Sequence, residues 1–245
     1  MIAVIDYGAG NLRNVCKALE HVGAELTLTD DRRALERADK LVLPGVGAFA
    51  DCQHGLKARG LFELLRALAL AGKPLLGICV GMQLLFEVGE EMGEWEGLGL
   101  IPGRVTRFHF PTQNNTTNAK GESISQFSIF NSQFKIPHIG WNQLWLRQPD
   151  HPLLAGVRDG DYAYFVHSYH PQGVDSAHVL AVTDYGYAFP SVVARDNVWG
   201  IQFHPEKSQD VGLRMLRNFV AWPMGEPAAG ASGAIGKHVH HLPGH

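Results

Sequence analysis

Short apolar runs that alternate with amphipathic stretches are the feature that most restricts how this chain can fold. The strand-like runs of the first third are residues 2–6, 25–29, 40–45 and 74–79, and the helical stretches cover about 11–22 and 56–70. Strand-like runs separated by helices are typical of βαβ units, in which consecutive strands lie parallel. The pattern therefore predicts an α/β fold with a mainly parallel central sheet flanked by helices.

The second half of the chain adds strands that follow one another without intervening helices. After Gly103, strand-like segments occur at 141–146, 162–168, 178–183, 191–195 and 198–204, and a closing helix covers about 208–222. Successive strands joined by short connections favour antiparallel pairing. We therefore expect one domain over residues 1–222, with additional strands, some of them antiparallel, in its second half.

Two segments depart from this rhythm. Residues 111–135 are rich in Asn, Thr, Ser and Gln, which indicates a polar surface insertion in which 123–130 could form a hairpin. Residues 223–245 are rich in Gly, Ala and Pro, and that composition predicts a disordered tail.

Charge and hydropathy exclude several classes of function. The formal net charge is −3 and no basic stripe occurs, so binding to a nucleic-acid backbone has no electrostatic support. The first ten residues lack the features of a signal peptide, and no window approaches the roughly 20 apolar residues of a membrane span. We expect no nucleic-acid or membrane partner and a cytoplasmic location, with Cys16, Cys52 and Cys79 as free thiols.

The segment 75-LLGICVGMQLLFE-87 places Cys79 between two glycines, after an apolar strand and before a helical stretch. This arrangement has the form of a nucleophile elbow, in which a sharp turn lifts a side chain off the carboxyl end of the sheet. Unpaired N–H groups at the helix start favour a thiolate, and the N–H of Val80 would face an oxyanion formed over the sulfur. A small buried thiol in a tight turn explains this segment equally well when it is taken alone.

A histidine and a glutamate follow 125 residues later, in 198-VWGIQFHPEKS-208. Pro205 favours an extended backbone at His204, and alternate residues of an extended segment project to one side. His204 and Glu206 are therefore expected to share a face, where the carboxylate would fix the imidazole tautomer and stabilise the imidazolium. The chain order Cys, His, Glu differs from that of the α/β-hydrolases, which counts against that class.

A glycine-rich loop, 43-LPGVGAF-49, follows another predicted strand. Glycines spaced by one residue can rotate a peptide to aim an N–H at a neighbouring site, so Gly45, Val46 and Gly47 are candidates for a second oxyanion donor. An ordinary glycine-rich turn is the better explanation when this loop is considered by itself.

Taken together, 44-PGVGAF-49, 77-GICVGMQLLFE-87 and 200-GIQFHPEKS-208 resemble the class I, triad-type glutamine amidotransferases in content, order and spacing. The resemblance implies a flavodoxin-like fold and a catalytic triad of Cys79, His204 and Glu206. It also implies that the thiolate attacks the side-chain amide of glutamine, while Val80 and the 45–47 loop hold the oxyanion. Gln83 resembles the glutamine-contacting position of the family, with a surface helix residue as the alternative.

Four further segments resemble the glutaminase subunits of imidazole glycerol phosphate synthases: 6-DYGAGNL-12, 99-GLIPGRVTRF-108, 137-PHIGWNQL-144 and 165-FVHSYHP-171. In that branch of the family, ammonia passes to a (βα)₈-barrel synthase subunit that makes imidazole glycerol phosphate and AICAR ribonucleotide in histidine biosynthesis. The glutaminase is weak alone and is activated by a ligand on its partner. The resemblance thus implies a heterodimer, and it places these residues near the interface: Asn11, His138, Trp141, Asn142, Tyr169 and Lys207.

Each of these interface residues also has an ordinary structural explanation. Trp141 could belong to the core, Asn11 could cap a helix, and Lys207 could be a solvated charge. Two other functions stay open: a glutaminase that serves a different acceptor, and a catalytically silent module with the same fold. We expect neither cofactor nor metal, and no Cys/His spacing typical of a zinc site occurs. Because the chain shows no phosphate cradle of its own, the ribotide is expected to bind the partner.

Overall fold

The computed structural model describes residues 1–110, 115–117, 123–125 and 134–223. The helices of these residues are α1 (Leu12–His21), α2 (Arg32–Arg37), α3 (Phe49–Ala58), α4 (Phe62–Leu70), α5 (Val80–Gln83) and α6 (Gln209–Ala221). The first eight strands are β1 (Ile2–Ile5), β2 (Leu26–Thr29), β3 (Lys40–Gly45), β4 (Leu75–Cys79), β5 (Val88–Gly89), β6 (Trp95–Glu96), β7 (Arg104–Arg107) and β8 (Asn115–Thr117). The others are β9 (Ser123–Ser125), β10 (His138–Gln143), β11 (Trp145–Leu146), β12 (Tyr162–His167), β13 (Tyr169–Gln172), β14 (Val179–Asp184), β15 (Ala188–Arg195) and β16 (Val198–Ile201).

An eight-stranded sheet forms the centre of the molecule, in the order β11-β14-β15-β16-β4-β3-β1-β2. The strands from β16 to β2 are parallel, whereas β15, β14 and β11 are added antiparallel. β1, β3 and β4 are buried along their whole length, as expected for parallel strands covered on both faces. The predicted α/β fold with additional strands in its second half is confirmed.

Three smaller sheets accompany the central one in the described residues, and two of them lie outside the polar insertion. β13, β7, β5 and β6 form a four-stranded sheet, and β10 pairs with β12 in an antiparallel ribbon. The prediction of a single strand over 141–146 is wrong, because the chain changes sheets within it. Leu144 is fully buried and exchanges backbone hydrogen bonds with Asp161 and Gly160, after which β11 joins β14 of the central sheet.

The helix predicted over 56–70 is two helices, α3 and α4. Gly60 adopts φ +64°, a left-handed conformation that glycine accepts without steric cost. The N–H of Gly60 donates to Lys57 O and the N–H of Leu61 to Leu56 O, so the end of α3 is closed by backbone hydrogen bonds. The short helix α2 was not predicted from the sequence, although Asp31 caps it through the N–H of Ala34 at 2.8 Å.

The polar insertion leaves the domain and returns to it at one place. Phe110 and Phe134 stack with ring centroids 5.5 Å apart, and both rings contact Tyr185. Within the insertion β8 pairs antiparallel with β9, a pairing that was not predicted; residues 126–130 of the predicted hairpin lie outside the described residues. The predicted tail beyond Pro223 also lies outside them. Within the described residues, no helix has the length and apolar character needed to cross a membrane.

The turn after β4 holds its backbone against β3 at a separation that only glycine allows. A Cβ built at Gly81 would lie 1.8 Å from Leu43 O, and one at Gly77 would lie 2.6 Å from Gly81 O. Cys79, at the corner itself, has φ 56° and ψ −115°. Such a conformation costs a non-glycine residue about 1–3 kcal/mol, so the corner keeps its cysteine at the expense of stability.

Comparing Cys79→Gly with Cys79→Ala separates this backbone strain from the loss of the thiol. Both variants lack the sulfur, but only glycine accepts the positive φ freely, so we expect Cys79→Gly to be at least as stable. Ala67→Gly, at an exposed position of α4, is the unstrained control and should cost about 1 kcal/mol of unfolding free energy. Urea unfolding measures all three variants. If Cys79→Gly is less stable than Cys79→Ala by about that same amount, the corner is not strained.

Candidate active site

Three segments meet at the carboxyl ends of the neighbouring strands β16, β4 and β3. β4 ends at Cys79, and Gly45 at the end of β3 lies directly opposite it in the register. β16 continues into the segment that carries His204. Parallel strands bring their carboxyl ends to one edge of the sheet, and functional groups of open α/β sheets gather there. The fold therefore brings together residues that are distant in sequence.

The predicted histidine contacts the predicted glutamate and lies beside the cysteine. His204 Nδ1 lies 3.0 Å from Glu206 Oε1, and both side chains are buried. Burial opposes a charged imidazole, but hydrogen bonds with Cys79 and Glu206 raise the pKa of His204 to about 10. The ring is therefore protonated at neutral pH, with Nδ1–H donated to the carboxylate and Nε2–H left for the sulfur.

The backbone that makes this contact differs from the expectation of an extended run. His204 itself is extended, with φ −95° and ψ 97°, but Pro205–Lys207 form a 3₁₀ turn. Ser208, which directly precedes α6, stabilises the turn, because its hydroxyl donates to His204 O at 2.7 Å. The turn returns the Glu206 carboxylate to the imidazole, and the amide of Asn11 donates to the same oxygen at 3.4 Å. His204 and Glu206 therefore contact each other as predicted, but a 3₁₀ turn rather than an extended segment brings them together.

A cavity of about 180 Å³ opens beside the sulfur. It is lined by Val46, Gly47, Cys79, Val80, Gln83, Glu91, Pro137, Val166, His167, Ser168 and Tyr169. Val80 and residues 46–47 of the glycine-rich loop, which were predicted to supply oxyanion donors, therefore line the cavity. Gly45 is not among the lining residues: it is the last residue of β3, where a Cβ would lie 2.5 Å from Gly81 N. The sulfur of Cys79 also lies 3.9 Å from Val166 O, a contact that the sequence did not predict. Within the described residues, no cluster of three or more His, Cys, Asp or Glu could hold a metal ion.

Gln83 is buried beside this cavity, which excludes the alternative of a surface helix residue. Its Nε2 donates to Tyr169 O at 3.0 Å and to Gln202 Oε1 at 3.3 Å. Both amide hydrogens are therefore used within the protein. Its Oε1 accepts no hydrogen bond from the described residues.

The residues predicted at an interface differ in exposure. Trp141 is 47% exposed, which excludes a core position, and Lys207 is also exposed. Asn11 precedes α1 but makes no side-chain capping bond, so its amide serves Glu206 instead. Asn142 and Tyr169 are half-buried. His138 is 3% exposed, which leaves its side chain almost no surface for direct contact with a partner.

Tyr164, which was not predicted as an interface residue, lies beside two residues that were. The ring of Tyr164 lies 5.7 Å from that of Trp141 and 5.9 Å from Lys207 Nζ. Along β12, exposed and half-buried residues alternate with buried ones, so Tyr162, Tyr164 and Val166 share the outer face. This alternation was the sequence signal that could have identified Tyr164.

Comparisons with known proteins agree with this geometry. The family profile described as "Glutamine amidotransferase class-I" matches residues 3–222. An imidazole glycerol phosphate synthase subunit HisH of Salinibacter ruber is 49% identical, over 93% of this chain and 97% of its own length. The subunit of the same name from Syntrophotalea carbinolica is 48% identical over 89% and 98%, and that from Sulfurimonas denitrificans is 45% identical over 91% and 98%.

Solved structures resemble the fold at low sequence identity. A crystal structure of a glutamine amidotransferase superposes with a TM-score of 0.65 at 20% identity, covering 90% of this chain and 97% of the other. PurLQS from Thermotoga maritima gives 0.62 at 20% identity, covering 89% and 96%. These likenesses establish the architecture, while the profile and the closely similar relatives establish the family. The chain belongs to the class I glutamine amidotransferases.

Proposed function

We propose that this chain hydrolyses glutamine to glutamate and ammonia and delivers the ammonia to the synthase subunit of an imidazole glycerol phosphate synthase. The observation that carries the proposal is the meeting of Cys79, His204 and Glu206 beside a cavity at the carboxyl edge of the sheet. The three HisH relatives, matched over nearly their full length, support the pathway assignment.

The chemistry follows from the protonation state of the histidine. The sulfur of Cys79 attacks the side-chain amide carbon of glutamine, and His204, whose pKa is about 10, gives its proton to the departing ammonia. Attack forms the C–S bond of a tetrahedral intermediate, and collapse of this intermediate breaks the C–N bond and leaves a thioester. The neutral imidazole then takes a proton from water, which attacks the thioester and releases glutamate. Glu206 holds Nδ1–H throughout both steps.

The oxyanion of each tetrahedral intermediate needs donors from two segments. Val80 lies at the start of α5, and the 46–47 loop borders the cavity on the side of β3. Loss of one such donor typically costs about 3–4 kcal/mol of transition-state stabilisation, so a small displacement of this loop would leave the enzyme slow. Val46 is 39% exposed, which places the loop where a bound partner can set its position. We propose that partner binding activates the glutaminase in this way.

The outer face of β10 and β12 is the proposed docking surface for the (βα)₈-barrel synthase subunit. Ile139, Trp141 and Tyr162 are 59%, 47% and 54% exposed on these paired strands. Exposed apolar and aromatic side chains that lie together mark protein interfaces, and tryptophan and tyrosine dominate binding energy there. The complex is proposed to be a heterodimer, with the ribotide bound by the synthase subunit and the ammonia released from the triad beside this face.

Replacing Glu206 by glutamine tests the triad. The carboxylate that accepts Nδ1–H and stabilises the imidazolium is removed, so we expect kcat for glutamate release to fall roughly 10²–10⁴-fold. Glutamate is measured with the synthase subunit and its ribotide present, with Cys79→Ala as the blank. Glu63→Gln, an exposed carboxylate of α4, is the matched control and should leave kcat unchanged. Near-normal turnover by Glu206→Gln would contradict the triad, and absence of glutamate release by the unaltered complex would contradict the function.

The docking surface is tested with two exposed tryptophans. Trp141→Ala should weaken binding of the synthase subunit about 30-fold, as removal of a central aromatic anchor does at other interfaces. Trp145, 40% exposed on β11, lies four strands away from β4 in the central sheet and is the matched control. Titration calorimetry gives both dissociation constants. Equal affinities of the two variants would place the interface elsewhere.

A further inference from the structure

Two buried histidines lie side by side between the docking surface and the cavity. His138 of β10 and His167 of β12 face each other in the register of the ribbon, and they are 3% and 6% exposed. His138 Nδ1 lies 3.1 Å from His167 Nε2. The ring of His138 is stacked between Tyr185, at 3.9 Å, and Phe165, at 4.9 Å. The proposed glutaminase chemistry uses neither ring.

The neighbours of the pair determine which nitrogen carries each proton. His167 Nδ1 lies 2.8 Å from Tyr169 O, which only accepts, so Nδ1 carries the hydrogen. Burial lowers the pKa of both rings, to about 4 for His138, and keeps them neutral. His167 Nε2 is therefore an acceptor, and His138 must donate to it from Nδ1. His138 Nε2 in turn accepts from Asn142 Nδ2 at 3.3 Å.

These bonds form one continuous chain with a single direction. It begins at Asn142 of β10, whose second amide hydrogen donates to Asp184 O at 2.8 Å, and it passes through both rings to the carbonyl of Tyr169. That carbonyl also accepts the hydrogen bond from Gln83 Nε2. The chain ends at this carbonyl, where it meets the side chain of Gln83, a residue that lines the cavity.

We propose that His138 and His167 are positioning residues for glutamine binding, acting as a neutral hydrogen-bond relay that fixes the Tyr169 carbonyl and, through it, the Gln83 side chain. The inference rests on the proposed glutaminase function. Neither ring needs to touch the reacting atoms. The relay sets the orientation of a substrate-binding amide from the same strand pair that carries the docking surface.

The relay is tested by two substitutions of His138 in the full chain, assayed with the synthase subunit and its ribotide. His138→Phe keeps an aromatic ring between Tyr185 and Phe165 but cannot donate to His167. We expect KM for glutamine to rise about tenfold, with kcat changed by less than about threefold. His138→Gln can still accept from Asn142 and donate to His167, so it should restore KM to within about threefold of the unaltered value.

His151→Phe is the control for loss of a buried histidine. His151 is 5% exposed, burial lowers its pKa to about 4, and it packs against Trp199 rather than the cavity. It should leave KM for glutamine unchanged. The relay is overturned if His138→Phe does not raise KM, if His138→Gln raises it equally, or if His151→Phe has the same effect.

A second measurement does not depend on any variant or on activity. Nitrogen-15 spectra of the histidine-labelled protein at pH 7 should show both rings neutral, with the proton on Nδ1 in each. A proton on Nε2 of either ring, or a doubly protonated ring, would overturn the relay even if His138→Phe failed to fold. Because glutamate release by the unaltered complex is recorded separately, failure of the proposed function and failure of the relay give different results.

Discussion

The close contact between the end of β3 and the turn after β4 is the constraint on which the site depends. No Cβ fits at Gly81, because Leu43 O would lie 1.8 Å from it, and one at Gly45 would lie 2.5 Å from Gly81 N. The turn can approach so closely only because the corner residue accepts φ 56°. That corner is Cys79, so the same packing raises the sulfur above the sheet edge and brings the 46–47 loop and Val80 to one cavity. Backbone contact, rather than side-chain packing, positions the sulfur of Cys79.

Local sequence signals predicted the parts of the fold that local physics determines. Alternating apolar runs identified the parallel strands, and the glycines on both sides of Cys79 identified the corner. The two-residue strands β5 and β6 are too short for any periodicity, and the break at Gly60 lay inside an apparently continuous helical pattern. A third kind of feature depends on distant partners. Lys40 is buried and its ammonium donates to Phe219 O and Val220 O at 2.7 Å, nearly 180 residues away, which no local pattern indicates.

The charged surroundings of the thiol differ from those that the sequence suggested. The sequence suggested that a helix N-terminus would favour the thiolate, but α5 comprises only Val80–Gln83, and one helical turn has a small dipole. In the structure the protonated ring of His204 is a further positive charge beside the sulfur. Two groups that favour the proton, Cys79 and Glu206, outweigh the burial that opposes it, and the pKa of His204 reaches about 10. Cys79 and His204 lie far apart in sequence, and a 3₁₀ turn follows His204. Their proximity was predictable only from the resemblance of the motifs.

The β10–β12 ribbon carries both the proposed docking surface and the proposed relay, because successive residues of a strand face opposite sides. Ile139 and Trp141 project outward, whereas the alternate residues His138 and Asn142 project into the hydrogen-bond chain. A partner that shifts the ribbon on docking would therefore move the docking surface and the relay together, because the residues of both faces belong to the same strands. The insertion is anchored to the same element, because Phe134 packs on Tyr185, whose ring stacks on His138. The proposed docking surface, the insertion and the proposed relay thus meet at His138, which has almost no exposed surface.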